Sequence, residues 1–268
     1  MKLSIAIATF NEQDTIARCI ESVKDIAYEI ILVDGSSTDQ TVSIAKKLGA
    51  KVLVTDNPSI FHINKQKAID HCRGDWILQL DADEVVTKEL SEEIQKIINP
   101  QPFDAQGKPT THNPQPNNGY WIPRKNYFLG RWLSKGGQYP DYTLRLYRRG
   151  KGRLPCKSVH EQAEVEGKVG YLINPLLHYP YPNFSHYLEH FHRYTAILSD
   201  EFASEKLPIT IITFVQYIIT KPIWWFLSTF IRHKGFYDGY PGFVFSFFSA
   251  FRFPTAYIKF LRSYKRTK

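Results

Sequence analysis

The sequence predicts an α/β fold with a mostly parallel central sheet flanked by helices, followed by a helical C-terminal tail. Over the first hundred residues, apolar segments with strand character alternate with amphipathic segments of helical period, and the connections between them are short. This alternation is typical of strand–helix–strand units, whose strands run parallel. From residue 203 onward the composition becomes basic and aromatic, which marks the start of the tail.

The bounds of the predicted elements follow from residue spacing. Leu3, Ile5 and Ile7 alternate with small residues as in a strand. Similar reasoning gives strands at 2–9, 29–34, 51–55, 76–81, 119–124 and 142–148, and helices at 12–24, 41–48, 61–72, 87–98 and 184–199. Residues 100–118 contain five prolines and are predicted to form a surface loop. We therefore expect one domain over 1–202, with halves at 1–99 and 119–202, and a tail over 203–268.

Composition excludes several classes of protein. The chain has 268 residues, and 43% of them are hydrophobic, which excludes a disordered chain. The three cysteines, Cys19, Cys72 and Cys156, are widely spaced and odd in number, so neither a disulfide framework nor a zinc cluster is predicted. A reducing compartment is therefore expected. The first residues already have strand character, so no secretory signal is predicted.

The tail carries the whole formal net charge of +8. Residues 203–268 contain ten Lys or Arg, two Asp or Glu, and 18 of the 39 aromatic residues. A basic aromatic segment is typical of proteins that bind nucleic acid or an anionic membrane, and the long apolar runs favour the membrane. Lys221–Pro222 interrupts the first of these runs and Arg252 and Pro254 interrupt the second, and Pro222 is expected to break the helix. The sequence therefore favours helices in the membrane interface, peripheral or monotopic, and leaves a re-entrant hairpin or a true span as the alternatives.

Three polar clusters follow predicted strands and are expected to meet at one edge of the sheet. Asp81-Ala82-Asp83-Glu84 is an oxygen-rich site suited to Mg²⁺ or Mn²⁺, whose other ligands come from substrate phosphates. Residues 34–39 (DGSSTD) offer Asp34 to a base or ribose, with Gly35 permitting a tight turn; residues 9–12 (TFNE) form the third cluster. Each cluster alone is also explained as a helix start or a solvated turn. Their coincidence at the carboxyl ends of strands one, two and four predicts a ligand site.

The ordered set of motifs resembles glycosyltransferase family 2, which is inverting and has the GT-A fold with a Rossmann-like sheet. The finer resemblance is to the branch containing lipopolysaccharide core β-glucosyltransferases. The stretches that carry it are TFNE, ILVDGSSTD, NKQKAID, GDWILQLDADE, NYFLGRWLSKGGQYPDYTLRLYRR, SVHEQ and LLHYPY. The resemblance implies a nucleotide-binding half at 1–99, an acceptor half at 119–202 and transfer from a UDP-sugar, such as UDP-glucose. The implied acceptor is lipid-linked or of the lipopolysaccharide-core type, at the cytoplasmic face of the membrane.

The resemblance also implies residue roles. Asp34 would hold the base, Asp83 would ligate a divalent cation, and Asp81 would contact the ribose or the metal. The other residues expected at the donor are Thr9, Asn11, Glu12, Lys65, Lys67 and Arg193. The family position of the general base is matched by Glu161, with Asp141 as the second choice. His160 is either a metal ligand, a hydrogen-bond partner or a packed imidazole.

Two other functions are weighed against the transferase. A sugar nucleotidyltransferase uses a similar sheet, but it opens with a glycine-rich loop after strand one, and IATFNEQDT contains no glycine. An inactive nucleotide-sugar-binding module remains an alternative, against which the intact Asp83 and Glu161 argue. No nucleic-acid partner is expected. The sequence does not specify the sugar, the acceptor or the oligomeric state.

Overall fold

The computed structural model describes residues 1–100, 117–157 and 161–266, and side chains through residue 264. Most of the predicted loop at 100–118 lies outside these residues. The chain divides into two compact units. Unit 1 comprises Met1–Arg124 and Asp141–His178, and unit 2 comprises Lys125–Pro140 and Tyr179–Lys268.

Unit 1 is built on one long sheet whose first half is parallel, as predicted. Its parallel strands are β1 (Leu3–Thr9), β2 (Glu29–Asp34), β3 (Lys51–Val54) and β4 (Trp76–Asp81), in the spatial order β3-β2-β1-β4. In register, Thr9 pairs with Asp34 and Ala8 pairs with Asp81. The three polar clusters therefore leave neighbouring strands at the same edge, which confirms the geometric part of the sequence prediction.

The second half of the sheet contains several antiparallel pairs and a short parallel strand, and it was predicted only in part. Its strands are β5 (Glu84–Val86), β6 (Gly119–Phe128), β8 (Asp141–Arg148) and β12 (Leu176–His178), and the order continues β4-β8-β6-β12-β5. The shorter strands β7 (Arg131–Trp132) and β11 (Val169–Tyr171) pair with β6, whereas β9 (Gly152–Arg153) and β10 (Glu164–Val165) form a separate two-stranded sheet. The strand β5 pairs antiparallel with β12, and this pairing sets His178 opposite Glu84, beside the D-x-D sequence.

Four helices cover the two faces of the unit 1 sheet. They are α1 (Ile16–Val23), α2 (Thr41–Lys47), α3 (His62–Asp70) and α4 (Lys88–Ile98). The first packs with α4 in a cluster around Ile5, Ile20 and Leu78, and α3 contributes to a second cluster around Val33. The first helix begins at Ile16 rather than at residue 12, and residues 13–15 before it form a turn.

Unit 2 contains the long helices of the chain. They are α5 (Phe184–Ser204), α6 (Ile211–Val215), α7 (Lys221–Phe226) and α8 (Gly239–Arg266). Two π-helical turns extend these helices: Gln216–Thr220 connects α6 to α7, and Leu227–Arg232 follows α7. Together they form one continuous helix over Ile211–Arg232. A short 3₁₀ turn spans Gly235–Asp238. Both α5 and α7 pack against α8.

Two sequence predictions about the tail need correction. The helix continues through Pro222, because this residue lies at the start of α7, directly after a π-helical turn. The boundary predicted between residues 202 and 203 falls inside α5. Composition changes at residue 203, whereas the compact unit is defined by the packing of α5 against α8 and so begins earlier.

Candidate functional site

The loops after β1 and β2 are joined by hydrogen bonds at the carboxyl edge of the sheet. The Asn11 backbone N–H donates to Ser37 Oγ at 2.7 Å, and the Thr38 N–H donates to Asn11 Oδ1 at 2.9 Å. Asn11 and Ser36 both adopt left-handed backbone conformations, with φ of 55° and 64°. Such conformations are sparsely populated and concentrate at ligand sites. The two loops therefore form one structured edge rather than two independent turns.

Asp34 is fully buried at this edge, and its carboxylate is hydrogen-bonded within the protein. Thr9 Oγ1 donates to Oδ1 at 2.9 Å, while the backbone N–H and hydroxyl of Ser37 donate at 2.7 and 2.6 Å. Its role as the base-binding residue stays a prediction. The tight turn expected at Gly35 falls instead at Ser36; at Gly35 a side chain would meet Asn57 Oδ1 at 3.0 Å.

Six alternating basic and acidic side chains form a run of ion pairs at the end of β4. We call it the charge ladder; its members are Lys65, Asp81, Arg145, Glu84, Arg124 and Asp141. Arg145 is its centre, because its Nη2 lies 2.5 Å from Asp81 Oδ2 and 2.8 Å from Glu84 Oε1. Three acids and three bases give a formal charge of zero. Buried carboxylates are tolerated in proteins when they are paired in this way.

A β-bulge aims Arg145 into the charge ladder. Between β6 and β8 the register changes from Tyr120 opposite Leu146 to Trp121 opposite Leu144, which leaves Arg145 as the extra residue. Its guanidinium therefore reaches past the strand to Asp81. Burial opposes ionisation of Asp81, but the charges of Arg145 and Lys65 outweigh it and hold the pKa of this carboxyl well below its usual range.

Asp83 stands outside the charge ladder and pairs with His178. The distance from His178 Nε2 to Asp83 Oδ2 is 3.2 Å, and both side chains are partly exposed. Burial raises the pKa of Asp83, but the interaction with His178 more than offsets it, and the net shift is downward. His160, named as a possible metal ligand, lies outside the described residues.

The Asp83–His178 pair fits a divalent cation that takes its remaining ligands from a substrate. Within residues 1–100, 117–157 and 161–266, no group of three or more His, Cys, Asp or Glu side chains is arranged to hold a metal. Mg²⁺ and related ions are commonly held by one or two protein ligands plus phosphates and water, and imidazole nitrogen suits the transition metals. One carboxylate with one imidazole matches that kind of site.

Glu12 is a partly buried carboxyl with an altered pKa near Asp81 and Asp83. Desolvation by burial raises its pKa from 4.5 to about 7, and the negative charges of Asp83, Asp81 and Asp39 add to the shift. The hydroxyl of Thr15, which donates to Glu12 Oε2 at 2.7 Å, opposes it in part. Glu12 therefore gains a proton in a pH range where ordinary carboxyls have lost theirs.

We expect Glu12→Gln to stabilise the protein above neutral pH and to have little effect near pH 4.5. Because the folded state holds this proton more tightly than the unfolded state, the free energy of unfolding of the parent falls as pH rises from 4.5 to about 7. The amide has no such titration, so its advantage grows across this window to about 3 kcal/mol. Urea unfolding across the window measures it. The exposed Glu21→Gln is the control, and parallel pH curves for Glu12→Gln and the parent would contradict the shift.

The two carboxylates predicted as general base have different surroundings. Glu161 accepts hydrogen bonds from the Lys157 backbone N–H at 2.9 and 3.0 Å, and its Oε2 lies 3.9 Å from His62 Nδ1. Asp141 accepts from Nε and Nη2 of Arg124 at 3.0 and 2.7 Å. A guanidinium thus engages Asp141, whereas a backbone amide engages Glu161. Both assignments stay predictions.

The remaining predicted donor residues are not all brought together. Lys65 pairs with Asp81 and lies 4.7 Å over the Phe61 ring, whereas Lys67 donates to Thr55 Oγ1 at 2.9 Å, beyond β3. Arg193 lies in unit 2, on α5, with its guanidinium 5.6 Å over the Tyr194 ring.

Sequence reasoning missed three functional candidates, Arg124, Arg145 and His178. A signal existed: buried acids after a strand need basic partners, and all three residues lie in or beside motifs that carried the resemblance. Only the pairing of distant strands identifies them as those partners.

Comparison with known proteins confirms the resemblance. The profile described as glycosyl transferase family 2 matches residues 4–154. An uncharacterized glycosyltransferase of Rickettsia typhi is 31% identical over 93% of this chain and 83% of its own length. The lipopolysaccharide core biosynthesis glycosyltransferase LpsC of Rhizobium meliloti is 29% identical over 93% and 91%.

A solved structure supports the fold. The crystal structure of residues 1–349 of S. aureus TarS in complex with UDP-GlcNAc matches with a TM-score of 0.51 and 17% identity, over 92% of this chain and 79% of that one. The predicted fold class is therefore confirmed. Since the profile spans more than half of the sequence and glycosyltransferase relatives match nearly all of it, the chain belongs to glycosyl transferase family 2 and is a glycosyltransferase.

Proposed function

We propose that this chain is an inverting hexosyltransferase that moves a sugar from a UDP-sugar to a lipid-linked or lipopolysaccharide-core-type acceptor. The observation that carries the proposal is the Asp83–His178 pair beside the charge ladder, at the carboxyl edge where open parallel sheets bind ligands. The name of the Rhizobium meliloti relative supports the acceptor class. The UDP-GlcNAc of the TarS complex supports the donor class.

In this proposal Asp83 and His178 would hold a divalent cation, Mg²⁺ or Mn²⁺. Such a cation balances the negative charge that the diphosphate acquires as it leaves. Lys65 adds a positive charge at the same end of the sheet. Asn11 is exposed on the nucleoside side, and behind it the buried Asp34 carboxylate is fixed by hydrogen bonds from Thr9 and Ser37, which makes it a rigid support for selecting a base.

Glu161 acts as the general base in this scheme. Its carboxylate takes the proton from the acceptor hydroxyl while the hydroxyl oxygen forms a bond to C1 of the sugar. The bond from C1 to the diphosphate oxygen breaks on the opposite face, and UDP departs with the electron pair. Attack from the opposite face inverts the configuration at C1. The amide of Lys157 holds the Glu161 carboxylate in place for this proton transfer.

We also propose that the enzyme acts at the cytoplasmic face of the membrane, to which residues 203–268 attach it. An acceptor that is lipid-linked lies in the membrane surface, so a transferase that acts on it gains from being held there. The positive charge of this segment is suited to anionic lipid.

Turnover of labelled donors tests the proposed reaction. Purified protein is incubated with Mn²⁺, radiolabelled UDP-glucose, UDP-galactose or UDP-GlcNAc, and envelope glycolipid extract. We expect label from one UDP-sugar to enter the lipid fraction, with the product anomer inverted by NMR. Exchange of labelled pyrophosphate into UDP-sugar would instead identify a nucleotidyltransferase. A thermal shift with donor and no turnover on any extract would identify a binding module.

A further inference from the structure

The continuous helix Ile211–Arg232 has an inverted distribution of polarity. Its buried positions are Thr213, Tyr217 and Thr229, which carry hydroxyl groups. Its exposed positions include Ile211, Ile212, Ile223, Trp224, Leu227 and Ile231, each at least half exposed. A surface helix of a water-soluble protein has the opposite arrangement, with apolar residues towards the core. Only 11% of its most apolar stretch is buried, so it is not a core helix either.

The long helix α8 repeats this arrangement. Tyr240, Phe243, Phe247 and Phe251 follow one another at spacings of three and four residues, and all are exposed. Its buried positions include small residues at every fourth position, Gly242, Ser246 and Ala250, together with the larger Val244, Tyr257 and Phe260. A side chain at Gly242 would meet the Gly235 carbonyl oxygen at 2.1 Å, so the two backbones touch closely. Small residues inside and large apolar residues outside are typical of helices that pack within lipid.

The short turn between these helices buries its acid and exposes its aromatic residues. Asp238 is 1% exposed and accepts hydrogen bonds from the backbone and hydroxyl of Ser134 and from the Lys135 backbone. Its neighbours Tyr237 and Tyr240 are 60% and 73% exposed. The acid is therefore turned away from the surface, which leaves that surface apolar and positively charged.

Basic residues surround and interrupt this apolar surface. Arg232 and Lys234 are exposed where the first helix ends. Lys221, in the middle of that helix, lies 4.0 Å over the Tyr217 ring, and Arg252, in the middle of α8, lies 4.5 Å over the Trp225 ring. Such cations bury their stems against aromatic rings and direct their charge to an interface.

We propose that the exposed apolar residues of Ile211–Arg232 and α8 form a lipid-docking face that inserts into one leaflet of an anionic phospholipid bilayer. The helix Ile211–Arg232 is long and apolar enough to cross a membrane by length and composition. Lys221 at its centre makes crossing costly, since a central lysine is strongly disfavoured in hydrocarbon. Insertion parallel to the surface keeps Lys221, Arg232 and Lys234 at the lipid headgroups. This inference rests on the proposed function only in its explanation of why docking would benefit the enzyme, namely that the acceptor lies in the membrane.

Flotation of the full-length protein with vesicles tests the face without donor or acceptor. We expect binding to phosphatidylcholine vesicles that contain phosphatidylglycerol, weaker binding to phosphatidylcholine alone, and release by high salt or alkaline carbonate. Arg232→Gln with Lys234→Gln should lower the affinity for anionic vesicles about thirtyfold, equivalent to about 1 kcal/mol for each lost charge. Phe243→Ser with Phe247→Ser should abolish binding to both kinds of vesicle.

The matched control is Tyr171→Ser, which removes an exposed aromatic residue of unit 1 and should leave flotation unchanged. Circular dichroism with a cooperative thermal unfolding transition shows that each variant is folded. Emission of Trp224, identified with Trp224→Phe, should be quenched by shallow spin-labelled lipids more than by deep ones.

Retention in both salt and carbonate with deep quenching would overturn monotopic docking in favour of a span. Failure to float, with a dimer that Phe243→Ser and Phe247→Ser dissociate, would make the face a contact between two copies. Flotation without turnover would refute the proposed function alone.

Discussion

We expect Asp83→Ala to reduce sugar transfer by on the order of a thousandfold or more. A cation bound to a leaving diphosphate stabilises the transition state by several kcal/mol. Asp83 is not part of the charge ladder, so its carboxylate is the one expected to bind this cation. Asp81 is already balanced by Arg145 and Lys65. Donor binding should weaken together with turnover, because the diphosphate loses its counter-ion.

Radiolabel transfer and donor-induced thermal shift in Mn²⁺ measure the two effects of Asp83→Ala. The control is Asp25→Ala, which removes an exposed carboxylate before β2 and should leave both unchanged. His178→Ala should raise the Mn²⁺ concentration needed for half-maximal activity, because it removes the second protein ligand. Full activity of the parent protein in EDTA, or of Asp83→Ala in Mn²⁺, would rule out the metal-dependent mechanism.

The parallel half of the sheet was predictable because its information is local. Each of β1, β2 and β4 is a short apolar run that ends in a polar cluster, and carboxyl ends of adjacent parallel strands meet at one edge. The contacts between Asn11 and Ser37 confirm that inference. Nothing more than strand direction was needed to bring the clusters together.

The basic half of the site was not predictable because it depends on register between distant strands. Arg145 meets Asp81 because β8 pairs with β4, and it lies at a bulge between β6 and β8, which leaves no periodic signal in the sequence. His178 meets Asp83 because β12 pairs with β5, about ninety positions earlier in the sequence. Alternation identifies a strand but does not identify its partner.

The tail shows a further limit of pattern reading. Lys221–Pro222 predicts a break when the rule for proline in a helix interior is applied. The π-helical turns on either side relocate the proline to a position where its missing N–H is tolerated, so the helix continues. The sequence predicted the aromatic and basic content of the tail but not which of these side chains face outward. That the apolar side chains are exposed and the hydroxyl groups buried can be seen only once the burial of each residue is known.

Replacing the proposed general base, Glu161, is the second change expected to have a large effect on turnover. We expect Glu161→Gln to lower turnover by about a hundredfold to ten-thousandfold, the usual contribution of a positioned base. The amide keeps the shape of the side chain and one acceptor for the Lys157 N–H, but it cannot take the proton. Donor affinity in Mn²⁺ should stay close to that of the parent, because the carboxylate acts on the acceptor hydroxyl. Labelled-donor turnover and thermal shift measure the two quantities separately.

Asp141→Asn is the matched comparison, because Asp141 is the competing carboxylate and its Arg124 contact ties it to Glu84 through the charge ladder. If Glu161 is the base, Asp141→Asn lowers turnover less than Glu161→Gln does. The decrease in turnover of Asp141→Asn should then be accompanied by a lower melting temperature. Glu161→Asp should restore part of the activity, since it returns a carboxylate at a longer distance. The reverse pattern, with Asp141→Asn inactive but folded and Glu161→Gln active, would assign the base to Asp141 and leave Glu161 as the residue that holds the turn at Lys157.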